Sequence, residues 1–188
     1  MSNSSFIIKR KIVIYRGLFD PLHNAHKAII AELYNRFDEI YIVPAKHKLN
    51  MMFSDNARLS FINDFVNKCY PNLNKIHVIN DELKDETDEL SKMFNLVNHI
   101  RSKYLNKDLE NEIYLSIGLD EYENLKNWYK YEDLLKIVKL IVFNRGELKF
   151  NRLLEDVDTD IMTLEIHGFE NISSTKIRNE IYNYVILN

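Results

Sequence analysis

The chain has 188 residues, 46% of them hydrophobic and 28% charged, which suits one globular domain with a full core. A net charge of -3 leaves no basic surplus, so an extended nucleic-acid partner is not expected. The one cysteine, Cys69, excludes an internal disulfide framework and a cysteine-rich zinc site, and it fits a reducing compartment. No apolar stretch approaches the ~20 residues that cross a bilayer, and Met1 to Lys11 lacks the apolar run of a secretory leader. The expectation is a cytoplasmic protein with small-molecule partners, no nucleic acid and no membrane; a homo-oligomer is compatible with the sequence.

Apolar runs and helical patterns alternate along the chain. Lys11–Tyr15 reads as a strand. Ala25–Phe37 follows as a helix, with Ile29, Leu33 and Phe37 four apart. Glu39–Val43 reads as a second strand stopped by Pro44, and Asp55–Lys68 as a helix with Leu59, Ile62 and Val66 on one face. Lys75–Ile79 is a third strand. The charge run from Asp81 to Glu89 reads as a solvated loop and helix start, and Asp88–Tyr104 as one long helix with Leu90, Phe94, Val97 and Ile100 or Arg101 on its inner stripe. Strands are expected at Glu112–Ile117, Lys139–Phe143 and Ile161–Ile166, and a last helix from about Thr175 to Val185. With four glycines, three prolines and no repeat, nothing looks like a linker. This alternation implies a doubly wound α/β fold with a mostly parallel sheet, residues 1–188 forming a single domain.

Two segments carry chemistry. The first, Gly17-Leu18-Phe19-Asp20-Pro21-Leu22-His23-Asn24-Ala25-His26, joins the first strand to the first helix. In an open parallel sheet that is the strand edge where ligands bind, and the helix N-terminus favours an anion. His23 and His26, at i and i+3, can donate hydrogen bonds to phosphate oxygens, and Gly17 permits close approach of the backbone. Taken alone, the two histidines are equally well explained as surface or capping residues. The second segment, Ile172-Ser173-Ser174-Thr175-Lys176-Ile177-Arg178, opens the last helix with hydroxyls and places Arg178 one turn later. By itself it is a well-capped helix. Its hydroxyls, backbone N–H groups and guanidinium also suit a polyphosphate.

Together these segments, G-x-F-D-P-x-H-x-x-H and I-S-S-T-x-I-R, resemble the HxGH nucleotidyltransferase superfamily, and within it the nicotinate (nicotinamide) mononucleotide adenylyltransferases. Val43-Pro44-Ala45-Lys46-His47-Lys48, Asn56-Ala57-Arg58-Leu59, Ile117-Gly118-Leu119-Asp120, Leu125-Lys126-Asn127-Trp128 and Val142-Phe143-Asn144-Arg145-Gly146 are similar to that branch, from about Ile12 to Tyr182. The resemblance implies a Rossmann-like nucleotidyltransferase fold and adenylyl transfer from ATP, with Mg²⁺, to nicotinate mononucleotide in NAD biosynthesis. It implies catalytic roles for His23, His26, Lys48 and Arg178, and nucleotide contacts from Gly17, Phe19, Asp120, Arg145, Ser174 and Thr175. Trp128 would stack on the pyridine ring, and no protein-bound metal is implied. Nicotinamide mononucleotide, another acceptor such as pantetheine phosphate, and an inactive nucleotide-binding regulator are the alternatives. Three positions depart from the pattern: Arg16 and Ala25 stand where relatives carry glycine, and Leu18 where they carry Ser or Thr. Arg16 would either add a phosphate contact or block close backbone approach.

Overall fold

A computed structural model describes residues 9–46, 51–70, 73–106, 109–144, 159–169 and 172–187. Among them, six strands form one sheet: β1 (Arg10–Gly17), β2 (Glu39–Pro44), β3 (Ile76–Val78), β4 (Asn111–Gly118), β5 (Lys139–Asn144) and β6 (Ile161–Glu165). Their order is β3-β2-β1-β4-β5-β6 and every pairing is parallel. The helices are α1 (Asn24–Arg36), α2 (Asp55–Cys69), α3 (Asp81–Lys84), α4 (Met93–Lys103), α5 (Leu119–Glu123), α6 (Tyr131–Leu135) and α7 (Ser174–Leu187). Every strand anticipated from the sequence is present.

Both faces of the sheet are covered, which explains why the central strands read as unbroken apolar runs. Ile12 and Ile14 of β1 point into a core shared with Leu96, Val97 and Ile100 of α4. Val13 and Tyr15 point the other way, against Ile29, Ile30 and Leu33 of α1 and Ile62 and Val66 of α2. The chain leaves β1 toward β2 and β3, then returns to lay β4 on β1's other side. The β1/β4 boundary is therefore the switch point at which crevices open in folds of this class.

Three expectations need correction. The long helix expected over Asp88–Tyr104 is broken: Asp88 is left-handed (φ 61°), Glu89–Ser91 is a single 3₁₀ turn, and α4 starts only at Met93. The Asp85 carboxylate accepts the N–H groups of Thr87 (3.0 Å) and Leu90 (2.6 Å) and the Thr87 hydroxyl (2.6 Å), folding this stretch around a side chain instead of a helical ladder. Secondly, the charge run is not simply solvated, because Glu82 is 1% exposed. Thirdly, Arg58, not Leu59, takes the buried position on α2 beside Ile62 and Val66. The short elements α5 and α6 were not anticipated at all; at five residues each, they are too brief to show helical periodicity.

Candidate active site

The strand ends Gly17 and Gly118 sit side by side at the switch point, and each glycine has a steric reason. A Cβ on Gly17 would lie 3.0 Å from the Phe19 ring, and one on Gly118 would lie 2.5 Å from Asp120 Oδ1. Past Gly17 the chain turns sharply, with Phe19 left-handed (φ 49°) and its ring fully buried edge-on to Tyr15 and His26. Phe19 thus shapes this loop from the core. The Asp20 carboxylate is fully buried and accepts the N–H groups of Met52 (3.0 Å) and Phe53 (2.9 Å), tying the loop to the segment ahead of α2. Arg58 supports it from behind: fully buried, it donates to the carbonyls of Leu18 (2.5 Å) and Ala45 (3.0 Å) and pairs with Asp55 (2.6 Å).

His23 is the N-cap of α1 and lies buried, with the half-buried ring of His26 stacked on it at 3.7 Å between centroids. His26 Nδ1 accepts the backbone N–H of His23 at 3.3 Å. Nδ1 therefore carries no proton, and Nε2 becomes the donor of that ring.

The far end of the chain closes the site. Ser173 caps α7 by accepting the Lys176 N–H at 3.2 Å, and the Ser174 hydroxyl donates to the Pro21 carbonyl at 3.3 Å. Arg178 donates to the Asp20 carbonyl (2.7 Å) and to Thr175 Oγ1 (3.0 Å). The guanidinium thus ties Arg178 to a residue 158 positions away. The resulting cavity, of about 370 Å³, is lined by Gly17, His23, His26, Asp120, Ser174, Thr175 and Arg178 among others.

A second cavity of about 410 Å³ adjoins it, lined by Ser91, Lys92, Met93, Asn124, Trp128 and Tyr129. Arg16, Asp120 and Glu121 line both cavities. Glu121 is held in place by accepting the Gly118 N–H at 3.0 Å, and Arg16 by a two-pronged pair with Glu82 at 2.7 and 2.6 Å.

A family model described as cytidylyltransferase-like matches residues 14–180. The chain is 32% identical over 174 residues to a probable nicotinate-nucleotide adenylyltransferase of Aliarcobacter butzleri, covering 91% of this chain and 87% of that protein. It is 31% identical over 185 residues to a protein of the same description from Fusobacterium nucleatum, covering 92% and 88%. The chain belongs to the nicotinate-nucleotide adenylyltransferase family. Its architecture matches solved structures of the Plasmodium falciparum nicotinic acid mononucleotide adenylyltransferase, one complexed with APC (TM-score 0.72, 22% identity) and one with NaAD (0.73, 21%). Each match covers 90% of this chain and 83% of the other, and at that identity it establishes the fold.

In this adenylyltransferase the sequence-selected residues separate into two groups. Gly17, His23, His26, Asp120, Ser174, Thr175 and Arg178 meet around one cavity, while Trp128 stands in the next. Lys48 and Arg145 lie outside the described residues. Sequence reasoning gave no role to Asp20, Arg58 or Glu82. Asp20 and Arg58 stood within quoted motifs, but burial is what marks them as supports. Glu82, 66 positions from its partner Arg16, carried no local signal. The remaining described histidines lie elsewhere, His77 near Glu39 (3.6 Å), His99 near Asp81 (2.7 Å) and His167 near Glu165 (3.3 Å).

Proposed function

We propose that this chain transfers the adenylyl group of ATP to nicotinate mononucleotide, forming deamido-NAD and releasing pyrophosphate, and that residues 1–188 act as one nucleotidyltransferase domain. The observation that carries this reading is the pair of adjoining cavities at the switch point, one furnished for phosphates and the other holding Trp128. ATP occupies the His23/His26/Arg178 side. The mononucleotide occupies the other, with its pyridine ring on the indole face and the cationic Lys92 near its carboxylate.

The chemistry asks for alignment more than for proton transfer. The acceptor phosphate is already anionic, so an oxygen of it attacks the α-phosphorus directly. A new O–Pα bond forms as the bond between Pα and the β-phosphate oxygen breaks, and that electron pair leaves on pyrophosphate. His26 donates from Nε2 to charge building on the α-phosphate, and His23 stands beside it at the N-terminus of α1. The Ser174 and Thr175 hydroxyls, the N-terminal amides of α7 and Arg178 hold the β- and γ-phosphates. Arg178 is already parked on Asp20 and Thr175, so its swing onto ATP is short. Gly17 lets the loop backbone approach, and Phe19 keeps that loop in shape. Asp120 takes the ribose side; for Lys48 and Arg145, outside the described residues, the family resemblance alone implies roles toward the phosphates and the adenine.

Among the described residues, no three His, Cys, Asp or Glu side chains gather into a cation site. The Asp20 carboxylate is already engaged by two backbone N–H groups. Mg²⁺ would enter with ATP as part of the substrate and would supply charge neutralisation at the phosphates.

The test is pyrophosphate release by the purified protein with ATP, Mg²⁺ and each of nicotinate mononucleotide, nicotinamide mononucleotide and pantetheine phosphate. Turnover is expected with the nicotinate form. If neither pyridine mononucleotide is turned over, the reading is wrong.

A further inference from the structure

The parity of β1 decides which way residue 16 faces. Ile12 and Ile14 lie in the core layer beneath α4, whereas Val13 and Tyr15 lie beneath α1 and α2. Alternation sends Arg16 to the α4 side of the sheet and into the wall of the Trp128 cavity, where that cavity meets the one lined by the histidines. The neighbouring strand agrees, since Val43, paired with Arg16 in the sheet, belongs to the same layer.

Arg16 is held firmly. Its Nε donates to Glu82 Oε2 at 2.7 Å and its Nη2 to Oε1 at 2.6 Å. Glu82 also accepts the backbone N–H of Lys46 at 3.0 Å and is 1% exposed, so it lies behind the guanidinium and out of the cavity. Of the five N–H donors on a guanidinium, Glu82 engages two. The Arg16 side chain keeps 19% of its surface open, at the boundary where the two cavities meet.

That boundary has an electrostatic problem. The described residues lining both cavities are Arg16, Asp120 and Glu121, two of them carboxylates that repel a phosphate. In the adenylyl-transfer reading above, on which this inference rests, the acceptor phosphate must come within bonding distance of the α-phosphate there. Arg16 is the cation of the three. Its fork geometry suits a pair of phosphate oxygens, and its anchored side chain has little freedom left to lose on binding.

We propose that Arg16 binds the phosphate of the acceptor mononucleotide and aims it at the ATP side, with Glu82 as the residue that positions Arg16. This turns the departure from glycine at this position into a specificity contact: the protein selects an acceptor that is a phosphate ester over the matching nucleoside.

The experiment compares the full-length wild-type protein with Arg16→Ala, Arg16→Lys and the double variant Arg16→Ala/Glu82→Gln. The double variant removes the carboxylate that the single change would strand in the core. Calorimetry measures binding of nicotinate mononucleotide, of nicotinate riboside, which lacks the phosphate, and of ATP. The expected result is a loss of about 10- to 100-fold in mononucleotide affinity for both alanine variants, with riboside and ATP affinities unchanged and Arg16→Lys in between. In turnover the same factor appears in KM for the acceptor and not in KM for ATP. Unchanged mononucleotide affinity, an equal loss for the riboside, or a loss confined to ATP overturns the proposal. The two ideas fail differently. Absence of wild-type turnover with any pyridine mononucleotide overturns adenylyl transfer and this contact together, whereas normal wild-type turnover with an unchanged acceptor KM in both alanine variants overturns only the contact.

Discussion

Arg58→Met removes the brace behind the loop from Gly17 to Asp20 while keeping an unbranched apolar side chain in its place. In the wild type the Arg58 side chain is fully buried and holds the carbonyls of Leu18 and Ala45. Its carboxylate partner, Asp55, is 50% exposed and returns to water without penalty. The Ala45 carbonyl, in a buried bond, does not, and the part-buried Leu18 carbonyl does so only in part; a buried acceptor left without its donor loses about 1–3 kcal/mol. Summed over the two, and with no buried charge left on Asp55, the net cost is about 2–5 kcal/mol. That is a large part of the ~5–15 kcal/mol available to a folded domain. At ~2–4 °C per kcal/mol for a chain of this size, the melting temperature falls by about 4–20 °C. Urea and thermal unfolding followed by circular dichroism give the stability. Pyrophosphate release, assayed where the variant is still folded, gives the effect on the loop, and kcat should fall because Leu18 sits in that loop. Arg58→Lys keeps the charge but cannot span all three partners, and should lie between. A variant destabilised by under ~1 kcal/mol with normal kcat would refute the idea that the loop is braced from behind.

Three further outcomes are expected. His26→Ala should lower kcat by about 10²- to 10³-fold, the cost of one preorganised donor to developing charge, with a melting curve close to wild type; near-normal activity would remove His26 from the chemistry. Trp128→Ala should raise KM for the acceptor about tenfold without changing KM for ATP, while Trp128→Phe keeps most of the stacking; equal effects on both substrates would contradict two separate cavities. Asp81 joins α3 to α4. Burial alone would raise its pKa, but hydrogen bonds from Lys103, Tyr104 and His99 outweigh that and hold it at about 2, below the ordinary 3.8. A lowered carboxylate pKa stabilises the fold above the ordinary value and loses that contribution as pH falls from 3.8 toward about 2. The gap in urea midpoint between wild type and Asp81→Asn should therefore be wide near neutral pH and close across that window; a gap independent of pH would refute the assignment.

The parallel sheet was legible because strands buried on both faces must be apolar throughout, and runs such as Ile12 to Tyr15 admit few other readings. The long middle helix was misread for a related reason: Leu90, Phe94 and Val97 keep a helical spacing that the backbone abandons before Met93. Periodicity registers which residues go inward and is blind to a carboxylate, here that of Asp85, that satisfies backbone N–H groups better than a helical turn would. The charge run misled in the same way. Asp81 and Glu82 look solvated until their partners, Lys103 and Arg16, arrive from other elements.

Local pattern, and residue types with few other uses, were enough to give the class of fold, the strands, and the loop and helix start that line the candidate site. Tertiary structure decided what those pieces do together. Only the 3-2-1-4-5-6 strand order brings Gly17 beside Gly118 and the N-terminus of α7 onto the Asp20 turn. Only the alternation of β1 puts Arg16 on the α4 side of the sheet, at the boundary between the Trp128 cavity and the histidine cavity. Charges find their partners through space, and the distance along the chain, 66 residues from Arg16 to Glu82 and 158 from Asp20 to Arg178, erases any local trace of the pairing.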